Sequence, residues 1–238
     1  MRRQMHPILD IENLCVTYHD GTEALTGVSM AVEPDRKVGL IGPNGAGKTS
    51  LLLAIMRGVP FTGRIALDGI ESTRRTADEI RGRCGMTFQD PDDQLFMPTL
   101  LDDAAFGPLN QGCDPEDARA AAIGAISAVA LSGMENRCAH HLSGGQKRNA
   151  ALATILSMNV KLMLLDEPGA SLDFRSRRRL TEILAGRDEA MLLATHDLNM
   201  VAELCDRVIV MDGGKIAADA PADTILNDLQ LLGAHGLA

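Results

Sequence analysis

Short apolar runs separated by turn residues occupy the first third of the chain. Their length and their Val, Ile and Leu content are typical of strands. The predicted strands are residues 8–18, 27–32, 37–42, 63–69 and 83–87, with Asp20-Gly21-Thr22 as a tight turn after the first. From Thr49 the pattern changes to that of a helix, which we expect to end at Gly58 because glycine is common just past a helix.

Later in the chain, continuous apolar runs alternate with helical patterns. Runs without polar alternation predict strands buried on both faces of a parallel sheet. These strands are 162–167, 190–196 and 207–214, and the predicted helices are 115–131, 144–158, 176–186 and 197–205. Such alternation predicts an α/β fold. Without a repeat or a low-complexity linker, we expect one domain over 1–238, with an inserted helical subdomain at about 91–158 and a short tail at about 221–238.

Composition and charge exclude several classes of protein. The chain has 238 residues, 45 % of them hydrophobic, and a net charge of −9. That charge argues against binding a nucleic-acid backbone, so we predict the basic segment 175–180 to be a solvated helix face. Five scattered cysteines without a C-x-x-C pair indicate neither a disulfide framework nor a zinc site. No membrane-spanning run or secretory leader is visible, which predicts a soluble cytosolic chain.

The segment Gly42-Pro43-Asn44-Gly45-Ala46-Gly47-Lys48-Thr49 matches the phosphate-binding pattern G-x-x-x-x-G-K-[ST] between a strand and a helix. Its backbone N–H groups and the helix N-terminus suit a nucleoside triphosphate. Lys48 is expected to reach the β- and γ-phosphates, the Thr49 hydroxyl to bind Mg²⁺, and Ser50 to belong to the same ATP site. A glycine turn that binds nothing is the weak alternative.

Two further strands end in residues that suit the same chemistry. Asp166 ends an apolar strand, where an α/β sheet binds ligands, and its carboxylate suits Mg²⁺. Glu167 is placed to polarise an attacking water, which predicts a hydrolase. His196 follows another strand and is a candidate γ-phosphate sensor. The alternatives are a surface carboxylate pair and a structural histidine.

The segment Leu142-Ser143-Gly144-Gly145-Gln146-Lys147-Arg148 begins a predicted helix. Ser143 is positioned as an N-cap, and the glycines allow close backbone approach, so the segment suits a second anion. Five motifs follow one another along the chain: the phosphate-binding loop 42–49 (the P-loop), the segment 142–148, Asp166-Glu167, the segment 170–173 and His196. In this order they resemble the ATP-binding-cassette ATPases over nearly the whole chain. The resemblance implies a P-loop NTPase (RecA-like) fold with a mostly parallel sheet, an N-terminal antiparallel β subdomain and an inserted helical signature subdomain.

That resemblance also implies the cofactors and the site residues. ATP with Mg²⁺ would lie between two subunits, residues 142–146 of one closing over the P-loop of the other. Tyr18 matches the aromatic residue that stacks on adenine, although an ordinary strand tyrosine is the alternative. Gln89 matches the glutamine that reaches Mg²⁺ and the attacking water, and Asp173 the residue that communicates across the dimer. The chain departs from most relatives at Gly169, Ser171, Phe174 and Asn149.

The stretch FQDPDDQLF at 88–96, followed by DDAAFGPLN, resembles the ATPases of energy-coupling-factor importers, and the short tail resembles cobalt and nickel importer subunits. This implies a peripheral protein at the cytoplasmic face of the membrane, as a homodimer or paired with a related ATPase. We expect Asp92, Asp93 and Gln94 to contact the membrane subunits. In the alternative, Phe96 and Phe106 are core residues and the aspartates cap the next helix.

Other functions remain as alternatives. The first alternative is the same ATPase role in vitamin or other micronutrient uptake. A soluble cassette acting on DNA or the ribosome is disfavoured, because the segment between Gln89 and Leu142 is too short for a long coiled coil and only one cassette is present. A small-molecule P-loop kinase does not account for residues 142–148.

Overall fold

The computed structural model describes residues 6–237, whose strands and helices alternate as the apolar pattern predicts. The strands are β1 (Leu9–Thr17), β2 (Glu23–Val32), β3 (Lys37–Ile41), β4 (Thr62–Leu67), β5 (Ile70–Glu71), β6 (Cys84–Thr87), β7 (Leu162–Asp166), β8 (Ala190–Ala194), β9 (Arg207–Asp212) and β10 (Lys215–Pro221). The helices are α1 (Lys48–Ile55), α2 (Ala77–Arg83), α3 (Leu100–Asn110), α4 (Pro115–Ala128), α5 (Gly144–Leu156), α6 (Phe174–Ala185), α7 (Leu198–Leu204), α8 (Ala222–Asn227) and α9 (Leu229–Ala234). Single turns of 3-10 helix lie at Pro91–Asp93 and Ala139–His141.

The strands form an antiparallel sheet and a mostly parallel one. The antiparallel sheet has the order β2-β1-β4-β5, and the second has the order β10-β9-β3-β8-β7-β6. In the second sheet β3 runs parallel to β8 and β9, β7 runs parallel to β8, and β10 runs antiparallel to β9. The predicted α/β fold, with a separate N-terminal antiparallel sheet, is therefore confirmed.

The register of the parallel strands fixes where the chain leaves the sheet. Leu40 of β3 and Asp166 of β7 both pair with Ala194 of β8. The segments that follow β3, β7 and β8 therefore emerge at the same edge, which is where α/β sheets place ligands. Every residue of β7 and β8 is buried. Burying one leucine side chain contributes about 1.5–3 kcal/mol, so these strands hold that edge firmly.

The chain divides into two compact units. The first contains the described residues up to Cys84, then Lys161–Asp166 and the residues from Asp188 on, and the second contains Gly85–Val160 and Glu167–Arg187. The predicted helical subdomain at about 91–158 lies inside the second unit, but the inclusion of α6 in that unit was not predicted. The single-domain interpretation stays a prediction. No helix in the part of the chain from 6 to 237 is long and apolar enough to cross a membrane.

Candidate nucleotide site and signature helix

In the first unit, the loop after β3 has a backbone that only glycine accommodates at its last position. Gly47 has φ 99°, and a Cβ there would lie 2.6 Å from the carbonyl oxygen of Ala24 and 2.8 Å from a methyl group of Leu25. Gly47 is also the N-cap of α1. The first N–H groups of a helix have no intrahelical acceptor, so this loop and helix start form a site suited to phosphate.

Lys48 and Thr49, the first residues of α1, point their polar atoms at groups of the same unit. The Lys48 side chain is 8 % exposed, and its Nζ donates to the carbonyl oxygens of Gly42 at 2.7 Å and Pro43 at 3.0 Å. The Thr49 hydroxyl donates to Oδ2 of Asp166 at 2.7 Å. A hydroxyl and a carboxylate in contact are hard oxygen ligands of the kind that Mg²⁺ prefers, so the residues present fit the expected ion.

Tyr18 lies just beyond the end of β1 and contacts the same helix. Its hydroxyl is 2.9 Å from the hydroxyl oxygen of Ser50, and the residue is 36 % exposed. The preceding strand therefore presents an accessible aromatic ring beside the start of α1. This placement favours the expected contact with adenine over the role of an ordinary strand tyrosine, and the contact itself stays a prediction.

His196 lies two residues beyond β8, at the sheet edge where β3 and β7 also end. The residue is exposed, whereas its neighbour Thr195 is buried. Asp197 accepts hydrogen bonds from the amides of Asn199 and Met200, both at 3.1 Å, and so caps α7. The backbone around His196 is thus fixed by its neighbours. Its role as a phosphate sensor remains a prediction.

In the second unit, residues 142–146, called the signature segment here, form the start of α5 with a capping box. The Ser143 hydroxyl accepts from the amide of Gln146 at 3.3 Å, and the Gln146 side chain accepts from the amide of Ser143 at 2.9 Å. This reciprocal pair satisfies donors that a helix start otherwise leaves unpaired. The side chain of Asn149 donates to the carbonyl oxygen of Val129 at 3.0 Å, which joins α5 to the end of α4. One departure from the family pattern therefore has a structural role.

The loop after β6 is fastened to α5 by two of the residues that we expected to face a partner. Asp92 accepts from Nζ of Lys147 at 2.6 and 2.8 Å. Gln94 donates to the carbonyl oxygen of Ala151 at 2.9 Å and to the hydroxyl of Thr154 at 2.7 Å. Its side-chain oxygen also accepts from the amide of Phe88, at 3.1 Å. The side chain of Gln94 is thus engaged within its own chain.

Asp93 differs from its two neighbours in the loop. Asp93 is exposed, and its carboxylate has no hydrogen bond or ion pair within the described range 6–237. Contacts of Asp92, Asp93 and Gln94 with a membrane subunit remain a prediction, and Asp93 is the member of this trio whose side chain is accessible without breaking an internal contact.

Phe96 and Phe106 lie on the surface, which rules out the alternative that they are core residues. They are 64 % and 43 % exposed, and their rings meet edge to face with centroids 5.1 Å apart. Asp103, by contrast, is 3 % exposed. Its Oδ1 accepts from the amides of Phe96 and Met97, at 3.0 and 2.9 Å, while Oδ2 is buried with no partner among residues 6–237. Burial raises the pKa of this carboxyl, against the lowering by the two amides.

Glu167 and Asp173 bracket a turn that precedes α6. Glu167 is 8 % exposed and has φ 47°, in the left-handed region that is uncommon for a side chain of this size. Ser171 also has a positive φ, 61°. Asp173 caps α6 by accepting from the amide and hydroxyl of Ser176, and these bonds lower its pKa. Communication across a dimer by Asp173 stays a prediction.

Three features narrow the protein families to which the chain could belong: the P-loop, the carboxylate of Asp166 and the capped signature helix α5. A family model described as "ABC transporter" matches residues 25–170. The chain belongs to the ABC transporter family. Proteins of this family use an ATPase domain to hydrolyse ATP and power transport, so this ABC chain is an ATP-binding ATPase.

Relatives of this ABC protein carry more specific names. The chain is 38 % identical to the cobalt import ATP-binding protein CbiO of Rhodobacter capsulatus, over 98 % of this chain and 85 % of that one. It is 36 % identical to the energy-coupling factor transporter ATP-binding protein EcfA of Methanothermobacter thermautotrophicus, over 94 % and 74 %. The solved structure of CbiO1 from Clostridium perfringens, described as part of the transporter complex CbiONQ, superposes with a TM-score of 0.81 at 29 % identity, over 97 % and 95 %.

Several contacts in this ABC chain were not predicted from the sequence. Sequence motifs gave no indication of the Tyr18–Ser50 hydroxyl contact, and the burial of Asp103 was also not predicted. Arg148, two residues beyond the signature segment 142–146, donates to two backbone carbonyls, and sequence patterns do not show backbone acceptors. A signal did exist for Asp103, because an aspartate among apolar residues at helical spacing indicates a buried polar group that needs donors.

Proposed function

We propose that this chain is the ATP-hydrolysing subunit of an energy-coupling-factor importer that takes up cobalt or nickel ions. The observation that carries the proposal is the contact of Thr49 with Asp166 at the start of α1, because it joins a phosphate cradle to a carboxylate suited to Mg²⁺. The names of the relatives, cobalt import protein and energy-coupling factor subunit, support the transport role and the cargo.

In this proposal the residues of the first unit bind and orient the nucleotide. Tyr18 contacts adenine, while the P-loop amides, Lys48 and Ser50 contact the phosphates. Thr49 and Asp166 would hold Mg²⁺, which when bound offsets the negative charge of the phosphates, and Gln89 is the further ligand that the family resemblance implies. His196 contacts the γ-phosphate.

Hydrolysis and assembly depend on residues of the second unit. Glu167 accepts the proton of the attacking water, and Gln89 orients that water. Residues 142–146 bind the ATP of a second subunit, and Asp173 contacts the same neighbour, so two chains close around ATP and separate after hydrolysis. We favour a homodimer, with a related ATPase as the alternative second subunit.

Transport requires membrane subunits that convert this closure into movement of the cargo. The exposed Asp93, together with Asp92 and Gln94 in the same loop, is proposed to meet basic residues on the cytoplasmic side of those subunits. The chain would therefore sit at the cytoplasmic face of the membrane as a peripheral protein. It is not proposed to act on nucleic acid.

Uptake by vesicles tests the proposal. The chain is purified with the membrane subunits that it retains from native membranes, reconstituted, and supplied with ATP and radiolabelled Co²⁺ or Ni²⁺. We expect ATP-dependent accumulation of one of these ions with the wild-type chain and none with Glu167→Gln. ATP hydrolysis that drives uptake of a vitamin instead would refute the cargo and support the alternative importer. Retention of RNA rather than membrane subunits would refute the transport role.

A further inference from the structure

Arg148 lies on α5 two residues beyond the signature segment 142–146. Because the capping box of Ser143 and Gln146 fixes the start of this helix, it also fixes the position of Arg148 on the first turns. The residue is half-buried, in a depression lined also by Thr87, Phe88 and Pro168. Arginine keeps its charge in such surroundings, and its planar group offers several donors in fixed directions.

The guanidinium bonds to two separate loops of the same unit. Nη1 donates to the carbonyl oxygen of Gln89 at 3.2 Å and to the carbonyl oxygen of Glu167 at 3.2 Å. The first acceptor belongs to the loop after β6 and the second to the turn before α6. One side chain therefore joins the backbones of the two residues to which we assign orientation and deprotonation of the attacking water.

Both acceptor residues need such support. Gln89 is exposed and lies in irregular backbone beyond the end of β6. Glu167 has a positive φ of 47°, a conformation that persists only where the surroundings enforce it. Nearby carboxylates of Asp90 and Glu167 favour the charged form of Arg148, although burial, the larger effect, lowers its pKa. A charged donor makes stronger hydrogen bonds than a neutral one.

We propose that Arg148 is a positioning residue that links the signature helix to the hydrolytic residues of its own subunit. It holds the main chain of Gln89 and Glu167 in register, so that a movement of α5 is transmitted to both. The inference rests on the proposed function, since it takes the roles of Gln89 and Glu167 from there.

The test compares variants of the full-length chain in steady-state ATP hydrolysis and in ATP binding. Arg148→Met removes both hydrogen bonds but keeps most of the side-chain volume. We expect kcat to fall about ten- to a hundredfold, the loss that a small displacement of catalytic groups produces, while KM and the dissociation constant for ATP stay unchanged. Arg148→Lys keeps the charge on a shorter side chain that cannot place its donor in the same position, so its kcat should lie between those of the wild type and Arg148→Met.

Arg178→Met is the matched control. Arg178 is an arginine of α6 in the same unit, its side chain is 70 % exposed, and it pairs with Glu182 one turn along the helix. Its removal should leave kcat at the wild-type value. A wild-type kcat in Arg148→Met would overturn the proposal. If that variant does not fold, a wild-type kcat in Arg148→Lys would overturn it instead.

A double-mutant cycle separates positioning from general damage to the fold. If Arg148 acts through Glu167, Arg148→Met should reduce the residual hydrolysis of Glu167→Gln far less than it reduces that of the wild type. If the double variant instead loses hydrolysis by the product of the two single-variant factors, positioning through Glu167 is refuted. Wild-type hydrolysis by Glu167→Gln alone would refute the proposed role of Glu167, and with it this inference, whatever Arg148→Met shows.

Discussion

Gln94 is expected to stabilise the fold through the contacts of its side chain within the chain. Its side chain donates to Ala151 and Thr154 of α5 and accepts from the amide of Phe88. Gln94→Ala removes three hydrogen bonds and leaves half-buried groups without their partner. At about 0.5–1.5 kcal/mol for each of the three bonds, the loss in free energy of unfolding should be about 1.5–4.5 kcal/mol.

Asp93→Ala, one residue away, provides the control. Its carboxylate is exposed and has no polar contact within residues 6–237, so we expect a change within about 0.5 kcal/mol. Guanidinium denaturation followed by far-ultraviolet circular dichroism measures both variants, since the chain has no tryptophan for fluorescence. Equal stability of Gln94→Ala and Asp93→Ala would show that the contacts of Gln94 contribute nothing, and our assignment would be wrong.

Two further predictions concern buried charge and backbone strain. The native state binds a proton at Asp103 more tightly than the unfolded chain does, because burial raises its pKa, so stability from this group is lost as pH rises through the raised value. As pH rises from about 4 to 7, the denaturation midpoint of Asp103→Asn should therefore rise relative to that of the wild type. A difference between the two midpoints that does not change with pH would contradict this. Ser171→Gly should raise the free energy of unfolding by about 1 kcal/mol, because glycine adopts the φ of 61° found at Ser171 without strain. A lower free energy of unfolding in Ser171→Gly would show that Ser171 is not strained.

The parallel sheet and the phosphate loop were predictable because local sequence determines them. The apolar run before Asp166 has to be buried on both faces, and the glycine at 47 has a conformation that other residues resist. Strand β10 was not predicted, because four of its seven residues are alanine or aspartate, which have low strand propensity, and it ends in Pro221. Its pairing with β9 outweighs that propensity.

The internal contacts of the loop at 88–94 were not predictable in the same way. Asp92 and Gln94 find their partners on α5, more than fifty residues along the chain, and those partners include a backbone carbonyl. A sequence pattern shows that such side chains are polar, but not whether a distant helix will use them. For this reason the contacts of Gln94 with α5 could not be predicted from the sequence, and its expected contact with a membrane subunit stays a prediction.

The central claim is that this chain hydrolyses ATP with Glu167 as the base and closes around ATP as a dimer. The most direct measurement is size-exclusion chromatography of Glu167→Gln with ATP and Mg²⁺, together with its hydrolysis rate. We predict that the variant binds ATP, elutes as a stable dimer and hydrolyses at most about a hundredth as fast as the wild type. A variant that hydrolyses ATP at the wild-type rate, or stays monomeric with ATP bound, would contradict the account.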